Sequence, residues 1–131
     1  MKVPIEILKI TDPDGLRRFR AITSFTEAVK YTPLSNTLIQ IQNEYLNFVE
    51  DSRKLLNEIQ SSRKNMSNSK IQWKLADRIH SFIKWVETKN CIFSNVSEAI
   101  TRDVDISKSQ LNYLIKFRTY YLTIDDLLKA Y

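Results

Sequence analysis

Glycine, cysteine and proline are all scarce in this chain: its 131 residues include one Gly, one Cys and three Pro. Sheet-rich folds need many tight turns, and glycine supplies the positive φ angles of those turns. A single glycine therefore disfavours a sandwich or barrel and favours long helices joined by few connections. It also cannot build a glycine-rich phosphate loop of the kind found in nucleotide-binding enzymes.

Several other kinds of site and segment are missing. Cys91 has no second cysteine to pair with, and no secretory-type apolar segment opens the chain, so a reducing intracellular compartment (cytoplasm or nucleus) is expected. We expect Cys91 itself to be a small, buried or half-buried residue. No apolar run approaches the about 20 residues that span a bilayer, so no membrane contact is expected. His80, the sole histidine, has no neighbouring cysteine, so no metal site is predicted. With no catalytic grouping in view, the sequence predicts a protein that is not an enzyme and uses no cofactor.

The charge balance leans towards cations. Twenty Lys and Arg residues face fifteen Asp and Glu residues, which gives a formal net charge of +5. Such an excess suits a polyanionic partner, because phosphate binding releases condensed counterions, although charge alone does not identify that partner. The length suits one domain, 1–131, and a hydrophobic fraction of 43% is enough for a real core.

The first third of the chain carries a basic segment. We expect residues 1–11 to form an extended arm that packs on the body. A helix is predicted from the Asp12-Pro13 start signal to about Tyr31, with apolar residues at helical spacing. Arginines lie largely off that apolar stripe, where they form either a solvated face or phosphate contacts: Arg17, Arg18 and Arg20.

The longest predicted helix covers about 35–63. Its apolar residues recur at alternating intervals of four and three, with Ser52 as the polar interruption. This seam consists of Leu38, Ile41, Tyr45, Phe48, Leu55 and Ile59. Two interpretations remain open: the core of a helical bundle, or a contact with a second copy or a partner protein.

A polar, Ser/Asn-rich segment follows at 61–69 and is the best candidate for an internal boundary. It would divide a helical or dimerising part, 1–60, from a second part, 70–131. A further helix is predicted over about 70–88.

Beyond it, two short helices are predicted, separated by a turn. Asn95 and Glu98 form a capping pair for a helix over about 96–104, and Ser107 can cap a second helix that ends near Tyr120. The stretch 97–118 resembles the helix-turn-helix family of DNA-binding motifs. The spacing of its apolar and turn positions carries the resemblance: Ile100, Thr101, Val104, Asp105, Ile106, Leu111 and Leu114. Thr101 stands where the family has alanine, and Asp105 stands where it has glycine.

The resemblance implies that the second helix enters the major groove of DNA. The residues expected to face the duplex are polar or basic and include no acid: Ser107, Lys108, Ser109, Asn112, Tyr113 and Lys116, with Arg118 continuing along the backbone. The sequence thus predicts an all-α fold, a helical bundle with a long central helix and a C-terminal helix-turn-helix-like pair.

The predicted function is sequence-specific binding of double-stranded DNA, in a regulator of transcription or replication. The alternative is a non-enzymatic helical interaction protein, such as a small subunit of a nucleoprotein or multiprotein complex. A helical inhibitor or immunity-type protein is a third interpretation that the sequence leaves open.

Overall fold

The structure is a computed structural model that describes the backbone of residues 3–7, 19–21, 35–61 and 66–130. Side chains are described for 3–7, 36–61 and 68–130. Helices hold 81% of the described residues, which confirms the predicted all-α class. A small sheet, which the sequence did not predict, completes the fold.

The body is a pair of long helices, α1 (Ser35–Ser61) and α2 (Met66–Thr88). They run antiparallel, because Nδ2 of Asn68 near the start of α2 donates to the carbonyl oxygen of Ile59 near the end of α1, 3.0 Å away. Further along the pair, Nη2 of Arg78 in the middle of α2 lies 2.9 Å from Oε1 of Glu44. The predicted long helix is confirmed, and α2 begins four residues earlier than expected.

The seam of α1 packs inside the chain. Ile41, Tyr45 and Phe48 are each 0% exposed, and the half-buried members of the seam pack against the same core: Leu38, Leu55 and Ile59. The Phe48 ring stacks on Phe82 of α2 with centroids 4.7 Å apart and planes at 11°. This packing supports the bundle-core interpretation of the seam. Binding of a second copy or a partner protein through these residues stays a prediction, and the burial of the residues does not favour it.

Three short strands cover one side of the core, in the order β2–β1–β3: β1 is Val3–Ile7, β2 is Phe19–Ala21 and β3 is Cys91–Phe93. In β1 every second side chain is buried, as the alternation of a strand requires, and Ile5 is 0% exposed. The central β1 pairs antiparallel with β2 and parallel with β3. The arm predicted to pack on the body is therefore a sheet strand over 3–7.

The helix predicted from Asp12 to Tyr31 is wrong where it can be compared with the structure. Phe19–Ala21 is a strand whose residues pair with Ile5–Ile7. Buried backbone N–H and C=O groups need partners, and this distant pairing outweighs the local helical spacing. The rest of that prediction lies outside the described residues.

The described residues of the polar segment at 61–69 are helical. Its first residue ends α1, and Met66 to Ser69 already belong to α2. One hydrophobic cluster contains Phe48 from before the segment and Leu111 from after it, together with Ile5 of the sheet. The C-terminal helices thus share their core with α1 and β1.

Candidate nucleic-acid interface

The first helix of the helix-turn-helix-like pair is α3, Val96–Ile100, which continues without a break into a π-helical turn, Thr101–Asp105. The predicted Asn95 cap is wrong, since this side chain makes no capping hydrogen bond. Its Oδ1 instead accepts from the backbone N–H of Ile7 at 3.3 Å, and its Nδ2 donates to the Ile7 carbonyl at 3.4 Å. Asn95 therefore ties the start of α3 to the end of β1.

Thr101 occupies the position where the resembling family has alanine, and its hydroxyl has partners. Oγ1 lies 2.9 Å from the carbonyl oxygen of Ser97 and 3.0 Å from that of Glu98. Its hydroxyl hydrogen is therefore shared between these two acceptors. The extra polar group is therefore satisfied within its own helix.

The turn takes the backbone conformation that its position requires. Asp105 has φ of 68°, in the left-handed region, where the family has glycine. The chain then extends through Ile106, and the Ser107 side chain accepts from the backbone N–H of Gln110 at 3.0 Å. This hydrogen bond confirms the prediction that Ser107 caps the second helix, α4 (Lys108–Tyr120).

The conformation of Asp105 leads to a stability prediction. Asp105→Val should lower the free energy of unfolding by about 1–3 kcal/mol, because a β-branched residue is strained at positive φ. Asp105→Gly is the matched control: it relieves the strain but adds entropy to the unfolded chain, so a change of less than about 1 kcal/mol is expected. Urea denaturation checks both variants, and equal losses for valine and glycine would show that backbone conformation is not the cause.

A buried ionic group holds the π-helical turn to the body of the protein. The Asp103 side chain is 0% exposed, and its Oδ1 and Oδ2 lie 3.0 Å and 3.1 Å from Nε and Nη2 of Arg102. From α1, the hydroxyl of Tyr45 lies 2.5 Å from Oδ2 of Asp103. Hydrogen bonding to Asp103 raises the pKa of Arg102 above its ordinary value, so this guanidinium stays charged.

Two further contacts extend this network. Nε of Arg53 in α1 donates to the backbone carbonyl of Asp103 at 2.8 Å. Nη2 of Arg102 lies 3.2 Å from the carbonyl oxygen of Ile7 at the end of β1. Arg102 and Asp103, in the π-helical turn, are therefore fixed to both α1 and the sheet.

The sequence did not predict this network. Asp103 and Asp105 have opposite environments, one buried and one exposed. The available signal was the position of Asp103 three residues after Ile100, on the inward side of the helix.

Six of the seven residues predicted to face nucleic acid form an outer face, with Ser107 at the N-cap of α4 and the other five on the helix itself. All six are exposed: Ser107, Lys108, Ser109, Asn112, Tyr113 and Lys116. Positions 108, 112 and 116 are four residues apart and share a face, and 109 lies beside them. Leu111 and Leu114 point inward, with exposures of 0% and 1%. The thirteen residues of α4 include neither Asp nor Glu.

Arg118 does not belong to this outer face. Its side chain is 15% exposed, and its Nε lies 3.0 Å from Oδ1 of Asp77 in α2. The guanidinium also covers the ring of Trp73, 5.4 Å from the centroid. Arg118 therefore attaches α4 to α2, and its assignment as a nucleic-acid contact is corrected to a packing role.

The predicted phosphate contacts in the first third of the chain cannot be placed beside α4. Arg17 and Arg18 lie outside the described residues, as does the side chain of Arg20. The backbone of Arg20 lies in β2, opposite Glu6.

Two acidic side chains, Glu98 and the exposed Asp105, lie near the start of the outer face. A cleft of about 390 Å³ between α3 and α4 is lined by both Glu98 and Lys108. Glu98 thus partly offsets the positive charge of Lys108. Lys116 lies two turns further along α4, away from this acid.

In the described part of the chain, no cluster of three or more His, Cys, Asp or Glu residues could hold a metal ion. None of the helices described is both long and apolar enough to cross a bilayer.

Comparison of the chain with protein-family models, curated proteins and solved structures finds no match.

Proposed function

We propose that this protein binds double-stranded DNA through the outer face of α4 and acts as a non-enzymatic, sequence-specific regulator. The observation that carries the proposal is the character of that face: six exposed polar or basic residues, one at the N-cap and five on a helix without a single acid. Exposed helix faces usually mix both signs of charge, as α1 does with its Glu50–Lys54 pair.

The side chains of this face match the chemistry of a DNA groove. Asn112 can donate to and accept from adenine through two hydrogen bonds, and Lys108 or Lys116 can reach guanine or a phosphate. Ser107, Ser109 and Tyr113 can donate to phosphate oxygens. The residues that contact bases and those that contact phosphates would thus lie on one helix and its cap, as they do when a helix-turn-helix motif binds DNA.

The support of α4 suits this role as well. Leu111 and Leu114 anchor the inner face in the core, while Arg118 and the Asp103 network fix the two ends of the segment. A rigid helix loses little conformational entropy when it binds, so more of the contact energy appears as affinity.

The test is a fluorescence-anisotropy titration of a short DNA duplex with wild type, Lys108→Glu and Asn112→Ala. Lys108→Glu should weaken binding to every duplex sequence, whereas Asn112→Ala should mainly relax the preference among sequences chosen from a random pool. Lys54→Glu is the matched control, since Lys54 is 70% exposed on α1 and outside the face. The proposal fails if wild type binds no duplex, or if both face variants bind as wild type does.

The interaction-protein alternative loses its main motivation. It depended on the apolar seam of α1, and the central residues of that seam are covered by the chain itself.

A further inference from the structure

We propose that α4 also binds unpaired nucleic-acid bases, which stack on Tyr113 and Tyr120 while Lys116 contacts one of the phosphates between them. This inference deepens the proposed function and rests on it, because it assigns a class of ligand, single-stranded nucleic acid, to the same helix.

The two tyrosine rings are open to solvent. Tyr113 is 52% exposed and Tyr120 is 78% exposed, which places both among the most exposed large apolar side chains in the described part of the protein. Aromatic rings are normally covered, because each removes a large apolar area from water when it is buried. Two exposed rings on one helix therefore suggest a ligand with flat apolar faces.

The rings are held in place by rings beneath them. Tyr113 stacks on Phe117 at 5.7 Å between centroids and 22° between planes, and Phe117 packs against the core. Tyr120 meets the half-buried Tyr121 edge-on at 4.7 Å, and Tyr121 in turn lies 5.3 Å from Phe117. Tyr113 is thus backed by a ring that packs on the core, Tyr120 has an edge-on aromatic neighbour, and both rings keep exposed surface on which a base can stack.

The spacing suits a single strand. Tyr113, Lys116 and Tyr120 follow one another at intervals of three and four, so they lie along one side of α4. Seven residues of α-helix span about 10 Å, which is about three stacked base steps of 3.4 Å. A strand along this line would place bases on both rings and a phosphate near the Lys116 ammonium.

The charge of α4 favours nucleic acid over a protein as the ligand that covers these rings. The helix carries cations and no acid, and Lys116 separates the two platforms. Single-strand binders combine aromatic platforms with a cationic track along the backbone in this way. In a duplex the faces of the bases are covered by their neighbours, so the rings would contribute to binding only where bases are unpaired.

The experiment compares three oligonucleotides: oligothymidine, an abasic strand of the same length, and a duplex. Wild type should bind oligothymidine at least about tenfold more tightly than the abasic strand, which keeps the phosphates and removes the bases. Tyr120→Leu should remove about tenfold of the affinity for oligothymidine and leave abasic and duplex binding unchanged. Tyr120→Phe, which keeps the ring, should bind as wild type. Tyr113→Leu should lose a similar part of the affinity for oligothymidine, with a smaller loss for the abasic strand and the duplex, because it also removes a hydroxyl that faces phosphate.

The possible failures are distinguishable. Duplex binding with equal affinity for oligothymidine and the abasic strand would overturn this inference and leave the proposed function intact. No binding of any oligonucleotide would overturn both. If the leucine variants change only self-association, measured by analytical ultracentrifugation, the rings form a protein contact and the inference is wrong.

Discussion

Asp103→Ala should lower the free energy of unfolding by about 3 kcal/mol. The substitution removes the partner of the Arg102 guanidinium and leaves the buried Tyr45 hydroxyl with the Ala99 carbonyl oxygen, 3.2 Å away. Removing one partner of a buried ion pair costs about 3–5 kcal/mol, and the lower figure applies because the Arg102 side chain is 30% exposed and stays hydrated. Urea denaturation followed by circular dichroism measures the loss.

Two variants separate the parts of this network. Tyr45→Phe removes one hydroxyl and should cost about 1 kcal/mol. Asp103→Asn keeps the size of the side chain but removes its charge, so it should be intermediate between Tyr45→Phe and Asp103→Ala. A loss below about 1 kcal/mol for Asp103→Ala would show that the network does not stabilise the turn.

Lys108→Glu combined with Lys116→Glu should weaken duplex binding by about a hundredfold or more. Each lysine–phosphate contact contributes about 1.5–3 kcal/mol as a charged hydrogen bond, and reversing both charges adds repulsion. The matched control is Lys54→Glu combined with Lys84→Glu, since those side chains are 70% and 62% exposed on α1 and α2. Each substitution changes the charge by −2, so either double variant takes the net charge from +5 to +1.

The comparison between the two double variants decides between a local site and a general effect of charge. The control should lose less than about threefold in affinity, because distant charges are screened at ordinary salt. Equal losses in the two double variants would show that net charge, rather than the outer face of α4, governs binding.

Periodicity predicted the helical part of the fold well, because the core residues of α1 and α2 repeat at helical spacing along their own segments. Local chemistry also located the Ser107 cap and the left-handed turn at Asp105. The sheet could not be predicted in this way. Val3 pairs with Cys91, and no local pattern marks two short segments so distant in sequence as partners.

In the candidate site, too, local spacing predicted some features, whereas contacts between distant residues determined the others. Exposure of Asn112 and Lys116 follows from helical spacing once Leu111 and Leu114 are taken as inward. Arg118 was misassigned because its position depends on Asp77, in another helix. The burial of Asp103 likewise depends on Tyr45 in α1, which the sequence of the turn does not reveal.

The most direct test of the central claim, that α4 binds DNA, is the salt dependence of duplex affinity for wild type and for Lys108→Glu/Lys116→Glu. For wild type, the logarithm of the association constant should fall linearly with the logarithm of salt between about 0.05 and 0.2 M, with a slope of about −2 or steeper for two or more phosphate contacts. The double variant should have a slope shallower by about two. Affinity that does not change with salt, or an unchanged slope in the variant, would contradict the claim.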